Sequence, residues 1–460
     1  MHRIPLRAET LLKSSAPLNF FDPRKPIVVA RAPGRLDVMG GIADYSGSLV
    51  LPLPIDRHTV AMVQPQSEPT LEAVTLRDGR EFHAAISLDD FNSSTPETLS
   101  LRFSEENENH WAAYVFGVAH ACLGSTASKG FRIFIESNVP EGKGVSSSAA
   151  LEVSSLAAIA AAFGVDLTSE EIATASQWAE NHIAGAPCGI MDQMTSACGR
   201  RDHLLRLRCQ PAIIEGHVAI PPGFRFYGID SGIRHAVTGA DYGTVRTAAF
   251  IGYRMIAAMA GFPVERYGDV VRVHDELWNG YLANISPAYF AEHFESSLPD
   301  EMLGADFLAQ FGGITDTATR VRPERMYPVR VATAHPVREN ARVELFAELL
   351  GELRESSGAA TEMGQLMAAS HASYGACGLG SVGTDRLVAM VAEAGTRSGV
   401  HGAKITGGGS GGTVAVLGTE SAEAAVRDIA ARYEAETGLK AEVFSGSEDG
   451  VLTNTEARRQ

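Results

Sequence analysis

The chain has 460 residues, of which 45% are hydrophobic and 20% charged, as in ordinary globular proteins, and its length predicts two domains or one large bilobed unit. The formal net charge of -16 argues against a broad nucleic-acid-binding surface, although backbone N–H groups and Mg²⁺ can still hold a nucleotide. The five cysteines are scattered and form no Cys-x-x-Cys motif, and the N-terminus shows no signal-peptide pattern. No apolar run approaches the roughly 18 residues of a membrane span. We therefore expect a cytoplasmic protein with no membrane partner.

The first part of the chain predicts a strand and then a loop that leads into an apolar stretch. Ile27–Ala32 is mostly apolar or β-branched and lies between Pro26 and Pro33, which is typical of a buried strand. A loop follows, punctuated by Gly34, Gly40, Gly41 and Gly47, before the apolar stretch Leu49–Ile55. Further on, Phe131–Glu136 alternates apolar and polar residues and predicts another strand.

The middle and end of the chain mix helices with strands. Ser148–Phe163 predicts a helix that ends near Gly164, and Thr168 with Glu171 forms a capping box for a helix reaching about Ile183. The remaining predicted elements are a strand at Phe224–Ile229, helices at Val343–Glu355 and Glu362–Ala368, and strands at Ala403–Ile405 and Thr413–Leu417. Residues 262–327 contain no readable motif. This order predicts an α+β fold of two lobes, residues 1–215 and 216–460, rather than a doubly wound sheet.

A turn that leads into a helix is the most informative segment. Residues Val139–Val153 read Val-Pro-Glu-Gly-Lys-Gly-Val-Ser-Ser-Ser-Ala-Ala-Leu-Glu-Val. The start of a helix offers free N–H groups and a positive dipole end, which suits phosphate, and the serine hydroxyls can cap the helix or reach a metal ion. An ordinary helix cap explains this segment alone equally well, and the spacing is not that of a Walker A loop.

Three other segments carry polar or glycine residues that suit ligand binding. In Arg31–Tyr45, Arg35 follows a Pro-Gly turn and Asp44 lies among small residues, where its carboxylate can accept sugar hydroxyls. In Ala403–Thr413, five glycines in six positions allow close approach to another segment or to a ligand. In Glu180–Gln193, Asp192 follows a turn that can display a general base. Taken singly, these features also fit a surface arginine, a flexible hairpin and solvated carboxylates.

Together, and in this order, the segments resemble the signature motifs of the GHMP small-molecule kinases. The Arg31–Tyr45 segment and the Cys-Gly-Ile-Met-Asp-Gln segment that begins at Cys188 resemble the galactokinase branch of that superfamily. The resemblance covers roughly residues 27–255 and 330–420. It implies a two-lobed α+β kinase fold with mixed sheets and helices, and an active site in the cleft between the lobes.

The resemblance implies a role for each matching residue. Asp192 matches the base that takes the proton of the sugar's anomeric hydroxyl, and Arg35 matches the arginine that holds this aspartate ionised and offsets phosphoryl charge. Ser148 and Glu180 match ligands of Mg²⁺. The expected ATP contacts are Gly142, Gly144, Ser146, Ser147 and Ser148 of the 139–150 loop, Gly407, Gly408 and Gly409 of the glycine-rich loop 406–412, and Trp111, for which core packing is an equal alternative. The expected sugar contacts are Asp44, Gly41, Ile42, Cys188, Gly189 and Tyr242.

One departure from the galactokinase pattern bears on the substrate. Galactokinases carry Gly-Glu-His-Thr-Asp-Tyr where this chain has Gly40-Gly41-Ile42-Ala43-Asp44-Tyr45. Gly41 and Ile42 cannot bind the hydroxymethyl end of galactose, and burying an unpaired hydroxyl costs about 1–3 kcal/mol. Asp44, which serves the ring hydroxyls, is kept. The sequence therefore predicts a pentose with the ring configuration of galactose, and it predicts that Glu at position 41 would shift preference toward galactose.

Longer stretches resemble the plant L-arabinokinases of the same branch. These stretches are Arg31–Leu51, Asn279–Ser286, Tyr327–Leu350 and Cys377–Leu387. We therefore expect ATP- and Mg²⁺-dependent formation of L-arabinose 1-phosphate by a monomer or weak homo-oligomer, with a sugar and ATP as its only partners. A galactokinase, or a kinase that accepts both sugars, is the nearest alternative. A non-catalytic sugar sensor is more remote, because such proteins lose part of the serine loop that is complete here.

Overall fold

The computed structural model describes residues 20–77, 79–104, 108–234, 240–268, 270–353 and 357–456. Within these ranges the strands are β1 (Ile27–Met39), β2 (Leu49–Gln66), β3 (Thr70–Arg77), β4 (Arg80–Ser87), β5 (Gly130–Ser137), β6 (His203–Arg208), β7 (Ile213–Ala219), β8 (Phe224–Asp230), β9 (Val264–Tyr267), β10 (Val270–Val273), β11 (Met302–Leu303), β12 (Met326–Tyr327), β13 (Val400–Ile405), β14 (Thr413–Thr419), β15 (Val443–Phe444) and β16 (Leu452–Glu456).

The α-helices of the same ranges are α1 (Leu88–Ser93), α2 (Pro96–Arg102), α3 (Trp111–Leu123), α4 (Ser147–Phe163), α5 (Ser169–Ala179), α6 (Met191–Cys198), α7 (Ala240–Met259), α8 (Pro287–His293), α9 (Gly304–Phe311), α10 (Val329–Glu352), α11 (Ser357–Ala376), α12 (Val382–Ala394) and α13 (Glu423–Thr437). No helix in the described part of the chain combines the length and apolarity needed to span a membrane.

Two sheets organise the α+β fold. The first has the order β16-β1-β2-β5-β3-β4, with β6 and β7 attached through β2; β3 and β5 are parallel and the other pairs antiparallel. The second is antiparallel with the order β13-β14-β8-β15. The predicted lobe division at residue 215 falls inside β7, and β16 returns from the far end of the chain to pair with β1.

Strand β1 extends beyond its predicted end at Ala32. It runs on through Pro33 and Gly34 to Met39, with a shift of register between Pro33 and Arg35, because a bulge tolerates a residue that cannot donate to the ladder. A Cβ at Gly34 would lie 2.5 Å from the Val145 carbonyl oxygen, and that oxygen accepts a 3.0 Å hydrogen bond from the Arg35 N–H. The bulge therefore brings Arg35 against the 139–150 loop.

The predicted helix signals are confirmed. Helix α4 ends at Phe163 with Gly164 in the left-handed conformation, and Thr168 and Glu171 form both hydrogen bonds of the capping box. The helix that this box begins ends at Ala179, and a π-helical turn, Glu180–Ala184, follows. Such turns often occur at functional sites because they redirect side chains.

Three apolar cores fix the lobes and join them. The largest lies between the first sheet and helices α3–α6. A second joins β1 and β2 to β8, α10 and α11, so it is shared by both lobes. The third joins side chains of the region without a motif, including Trp278 and Phe307, to apolar faces of α7 and α10, and it also contains Ile42, Tyr45 and Tyr374. The loop between β1 and β2 is thus buried against the second lobe.

Candidate active site

A cavity of about 850 Å³ lies between the two lobes. All of the predicted site residues line it except Gly41 and Gly409. Trp111, Tyr242, Arg35 and Asp192 all contribute to its wall. A concave, largely pre-formed cavity with convergent polar groups is the usual form of a small-molecule site.

The centre of the cavity is an aspartate held by three hydrogen bonds. Arg35 donates from Nε to Asp192 Oδ1 and from a terminal nitrogen to Oδ2, both at 2.8 Å, and Ser146 Oγ donates to Oδ2 at 2.6 Å. Arg35 also donates to the Gly144 carbonyl oxygen at 2.7 Å. The arginine side chain is 4% exposed and the aspartate side chain 24%. The carboxylate is therefore fixed in orientation but open to the cavity.

The 139–150 loop leads into helix α4 through residues with positive φ. Gly142 and Gly144 have φ of 70°, and Ser146, the residue before the helix, has φ of 61°. Because the Ser146 hydroxyl is used on Asp192, it does not cap the helix. The first N–H groups of α4, beside the hydroxyls of Ser147 and Ser148, thus face the cavity wall and can receive an anion.

The glycine-rich loop supports the 139–150 loop from behind. A Cβ at Gly407 would lie 2.9 Å from the Gly144 carbonyl oxygen, and one at Gly412 would lie 2.7 Å from that of Lys143. Thr413 Oγ1 donates to the same Lys143 oxygen at 2.8 Å. The close approach foreseen for these glycines is therefore made to another segment of the chain. Gly407 and Gly408 also line the cavity, whereas Gly409 packs against Leu379.

Glu180 offers a buried carboxylate next to the serine loop. Burial raises the pKa of Glu180 to about 7, although hydrogen bonds from Cys188 and Ser148 lower it. Cys188 Sγ donates to Glu180 Oε2 at 3.2 Å, and the Gln193 amide donates to the same oxygen. The described partners of this carboxylate are thus a thiol, a hydroxyl, an amide and the buried carboxyl of Glu152, none of them a cation, so a cation would relieve the cost of burying its charge.

Glu180 and Ser148 fit a magnesium ion by the chemistry of their donors. Both offer the hard oxygen ligands that Mg²⁺ prefers. Among the residues that the structure describes, no group of three or more His, Cys, Asp or Glu side chains is placed to hold a metal. A Mg²⁺ ion at this position would therefore complete its shell with nucleotide phosphates and water, as is usual for kinases.

Asp44 is another buried carboxylate that lines the cavity. Burial, and next the negative charge of Asp192, raise the pKa of Asp44 to about 6, while Arg246 opposes the shift. A Cβ at Gly189 would lie 1.6 Å from Asp44 Oδ2, so only glycine fits there. The rings of Tyr45 and Tyr242 meet edge to face at 5.9 Å beside this carboxylate. These groups form a polar corner suited to sugar hydroxyls.

Ile42 and Gly41 differ sharply in placement. Ile42 lines the cavity, is 2% exposed and has φ of 51°, a left-handed conformation that is uncommon for a β-branched residue. Gly41 lies behind the wall: a Cβ there would be 2.0 Å from the Tyr374 hydroxyl and 2.1 Å from Asp37 Oδ2. A glutamate at position 41 would thus point at Asp37 rather than into the cavity.

Trp111 lines the same cavity. It is 4% exposed, packs within the largest apolar core and also lines the cavity. Its role in contacting the base of ATP stays a prediction. Its Nε1 has no partner among the described residues, and the Arg77 guanidinium lies 6.0 Å from its ring centre.

Sequence reasoning missed three ion pairs between residues that are distant in sequence. Lys143 meets Asp230 at 2.8 Å across the lobes. Lys404 meets Asp37 at 2.9 Å, with neither side chain exposed. Arg246 binds Asp316 through two 2.8 Å hydrogen bonds. The two residues of each pair are 87, 367 and 70 residues apart in sequence, so no local signal reveals these pairs.

Comparisons with known families agree with this geometry. The chain matches the models of the GHMP kinases N terminal domain over residues 113–200, the galactokinase galactose-binding signature over 19–65, and the GHMP kinases C terminal domain over 346–435.

Similar proteins extend the match along the chain. It is 41% identical to the L-arabinokinase of Arabidopsis thaliana over 96% of its own length, and it spans about half of that relative, 48%. It is 30% identical to the galactokinase of Chloroflexus aggregans, with 90% of each chain covered. The structure of Lactococcus lactis galactokinase in complex with galactose superposes with a TM-score of 0.71 at 20% identity, covering 93% of this chain and 95% of that one.

Proposed function

Since the chain belongs to the GHMP kinases, within the branch of the galactokinases, we propose that it is an ATP-dependent sugar kinase that phosphorylates L-arabinose at the anomeric oxygen, giving L-arabinose 1-phosphate and ADP. The observation that carries the kinase activity is the fixed Asp192 carboxylate beside a helix N-terminus that can receive phosphate.

The choice of arabinose is supported by the wall around Ile42. This side chain presents hydrocarbon to the cavity at the position where galactokinases carry histidine. A hydroxymethyl group placed against it would lose its hydrogen bonds to water without replacement, at a cost of about 1–3 kcal/mol, or roughly 5- to 150-fold in kcat/KM. L-Arabinopyranose has no such group. The 41% identity to an L-arabinokinase along nearly the whole chain points the same way.

Galactose is the second candidate. The match to the galactokinase galactose-binding signature over residues 19–65 and the retained Asp44 favour it. The two readings share the ring hydroxyls and differ only at the carbon outside the ring, so a direct comparison of the two sugars separates them.

In the proposed reaction, Asp192 acts as general base. The anomeric oxygen attacks the γ-phosphorus of ATP, its proton passes to the carboxylate, and the bond from phosphorus to the bridging oxygen breaks to release ADP. A carboxylate has about four lone-pair positions; here Oδ2 already accepts two hydrogen bonds and Oδ1 accepts one. The free position on Oδ1 is therefore the one that would receive the proton.

The other residues orient the reactants and stabilise charge. Arg35 holds both carboxylate oxygens of Asp192 and places a buried positive charge beside the reacting groups. The N-terminus of α4 and its serines would bind the phosphates. Glu180 and Ser148 would hold Mg²⁺, which when bound supplies positive charge to the phosphate oxygens. Asp44 and Tyr242 would orient the ring hydroxyls, so that the anomeric oxygen faces Asp192.

A sugar panel with ATP and Mg²⁺, scored by release of ADP, tests the proposal. We expect kcat/KM for L-arabinose to exceed that for D-galactose by about 10-fold or more. Preference for D-galactose would replace the arabinose assignment and keep the sugar kinase. Absence of ADP release with every sugar, from protein shown to be folded, would refute the kinase itself.

A further inference from the structure

The loop that carries the sugar wall is held from the other lobe. Residues 40–48, the sugar loop, join β1 to β2, and two side chains of α10 bind its first residues. His335 Nε2 lies 3.1 Å from the Gly41 carbonyl oxygen, and the Gly40 N–H donates to Glu339 Oε1 at 3.2 Å. We call His335 and Glu339 the sugar-loop clamp.

The hydrogens of the clamp can be assigned from its partners. The Gly41 carbonyl can only accept, so Nε2 of His335 carries the proton, and Nδ1 accepts from Ser373 Oγ at 2.7 Å. Burial lowers the pKa of His335 to about 4, which agrees with a neutral ring. The imidazole is therefore fixed in one tautomer and one orientation by its two neighbours.

Glu339 is fixed equally firmly. Burial alone would raise its pKa, but the positive charge of Arg342 lowers it below the ordinary value. Arg342 Nε donates to Oε2 at 2.7 Å, and Ser370 Oγ donates to Oε1 at 2.6 Å, on the oxygen that also receives the Gly40 N–H. The side chain is fully buried, so this carboxylate is a rigid acceptor for the loop.

Ile42, which follows the clamped residues Gly40 and Gly41, has a strained backbone conformation. Ile42 adopts φ of 51°, and Gly40 before it has φ of 103°. A β-branched residue keeps a left-handed backbone only when its surroundings fix it. The two hydrogen bonds hold the backbone of Gly40 and Gly41, including the carbonyl of the peptide that precedes Ile42. The orientation of this peptide defines φ of Ile42, which is the rotation about its N–Cα bond.

We propose that His335 and Glu339 are positioning residues for sugar specificity: they hold Ile42 in its left-handed conformation, so that its side chain forms an apolar wall where the hydroxymethyl group of a hexose would lie. Released from the clamp, the backbone at Ile42 relaxes to negative φ, and its side chain leaves the wall. The space then accommodates a hydroxymethyl group. This inference rests on the proposed sugar kinase activity and assigns the specificity of that site to helix α10 of the other lobe.

The experiment compares kcat/KM for L-arabinose and D-galactose in matched variants. His335→Leu removes the donor to Gly41 at similar volume, and His335→Gln restores an N–H at the Nε2 position. Leu349→Ala is the control for stability, because it empties a buried site of the same helix about 15 Å from position 339. Ser373→Ala is a milder variant that frees the imidazole without changing it.

We expect His335→Leu to lower the arabinose-to-galactose ratio of kcat/KM by at least about 5-fold, mainly through KM for arabinose, with KM for ATP changed less than about 2-fold. His335→Gln should keep the ratio within about 2-fold of the wild type, Leu349→Ala should leave it unchanged, and Ser373→Ala should lower it about 2-fold. If His335→Leu and Ser373→Ala both keep the wild-type ratio, or if Leu349→Ala shifts it equally, the inference is overturned. If His335→Leu does not fold, Ser373→Ala decides. A wild-type protein inactive on all sugars would instead refute the proposed function, and the clamp with it.

Discussion

The sequence motif predicts that a glutamate at position 41 would shift the substrate preference toward galactose. The packing around Gly41 predicts instead that a side chain at this position would destabilise the protein and would not reach the cavity. An alanine there would place its Cβ 2.0 Å from the Tyr374 hydroxyl and 2.1 Å from Asp37 Oδ2, far inside van der Waals contact. Asp37 cannot move aside freely, since its carboxylate accepts from Lys404 at 2.9 Å and from the Gly407 N–H at 3.3 Å. Gly41→Ala must therefore displace buried polar groups, namely the Asp37 carboxylate with its partner Lys404, or the Tyr374 hydroxyl.

The size of the effect follows from the two costs. Overpacking a core typically costs about 1–3 kcal/mol. If the Lys404–Asp37 pair is broken as well, the loss reaches about 3–5 kcal/mol, because a buried charge is left unpaired. We expect Gly41→Ala to lower the free energy of unfolding by between about 1 and 5 kcal/mol. Gly41→Glu should cost more and gain no galactose kinase activity, since its carboxylate is directed at Asp37.

Urea denaturation, with kinetics on both sugars, measures these effects. The control is Gly375→Ala, next to Tyr374 in helix α11: its Cβ would meet nothing within 4 Å, so we expect stability unchanged or higher by up to about 1 kcal/mol. Tyr374→Phe should restore part of the loss in Gly41→Ala, because it removes one of the two close contacts. A Gly41→Ala protein as stable as the wild type, or a folded Gly41→Glu protein that gains turnover of galactose, would refute the reasoning.

Asp192→Asn should lower kcat by about 10²–10⁴-fold while calorimetry shows unchanged ATP affinity; an active variant would remove Asp192 from the role of base. Ser146→Ala deletes one of the three hydrogen bonds to that carboxylate and should lower kcat roughly 10-fold in the ADP-release assay, whereas wild-type kcat would show that this bond is dispensable. Because the folded pKa of Asp44 is about 6, above its ordinary 3.8, the accepting carboxylate is lost as pH falls through 6, and kcat/KM for the sugar should drop about 10-fold per pH unit below that value; a flat pH profile would contradict this. The same raised pKa makes Asp44 a source of stability that is complete below about pH 4 and lost as pH rises toward 6, which the urea midpoint of the ligand-free protein should follow. Asp316→Asn leaves Arg246 buried without its anion and should cost about 3–5 kcal/mol in urea denaturation, and a loss under about 1 kcal/mol would argue against this role.

Local signals in the sequence predicted the local structure well. The capping box of Thr168 and Glu171, the glycine after Phe163 and the β-branched run at Ile27 depend on neighbouring residues only, and all three were confirmed. The extension of β1 through Pro33 was not predicted, because its bulge depends on contact with Val145, more than a hundred residues away.

The sequence of residues 262–330 predicted neither secondary structure nor a motif, for a physical reason. The described part of this region consists of short elements, such as the two-residue strands β11 and β12 and the seven-residue helix α8, too short to show a helical or strand period. Its order comes instead from aromatic packing around Trp278 and Phe307 and from the pair between Asp316 and Arg246. Such contacts leave no pattern in the local sequence.

The candidate site was predicted through resemblance more than through spacing. No spacing in the sequence indicates that Arg35 and Asp192 meet, yet the structure joins them by two hydrogen bonds. The clamp was missed, although a signal exists: His335 and Glu339 are spaced i, i+4 on an otherwise amphipathic helix, so they lie on one face. A buried polar pair of that kind in a long helix indicates a partner outside the helix.

The pairing of β16 with β1 bears on how the protein is made. During synthesis, β1 to β7 are available to fold long before residues 452–456 emerge, and at 5–20 residues per second this delay is on the order of ten seconds or more. Throughout it, the outer edge of β1 is a row of unpaired backbone groups that another nascent chain could join. A fragment cut near residue 215 would keep that open edge permanently. We therefore expect such a fragment to aggregate in cells. In the full chain, β16 covers the edge of β1 and so prevents pairing of that edge with another chain.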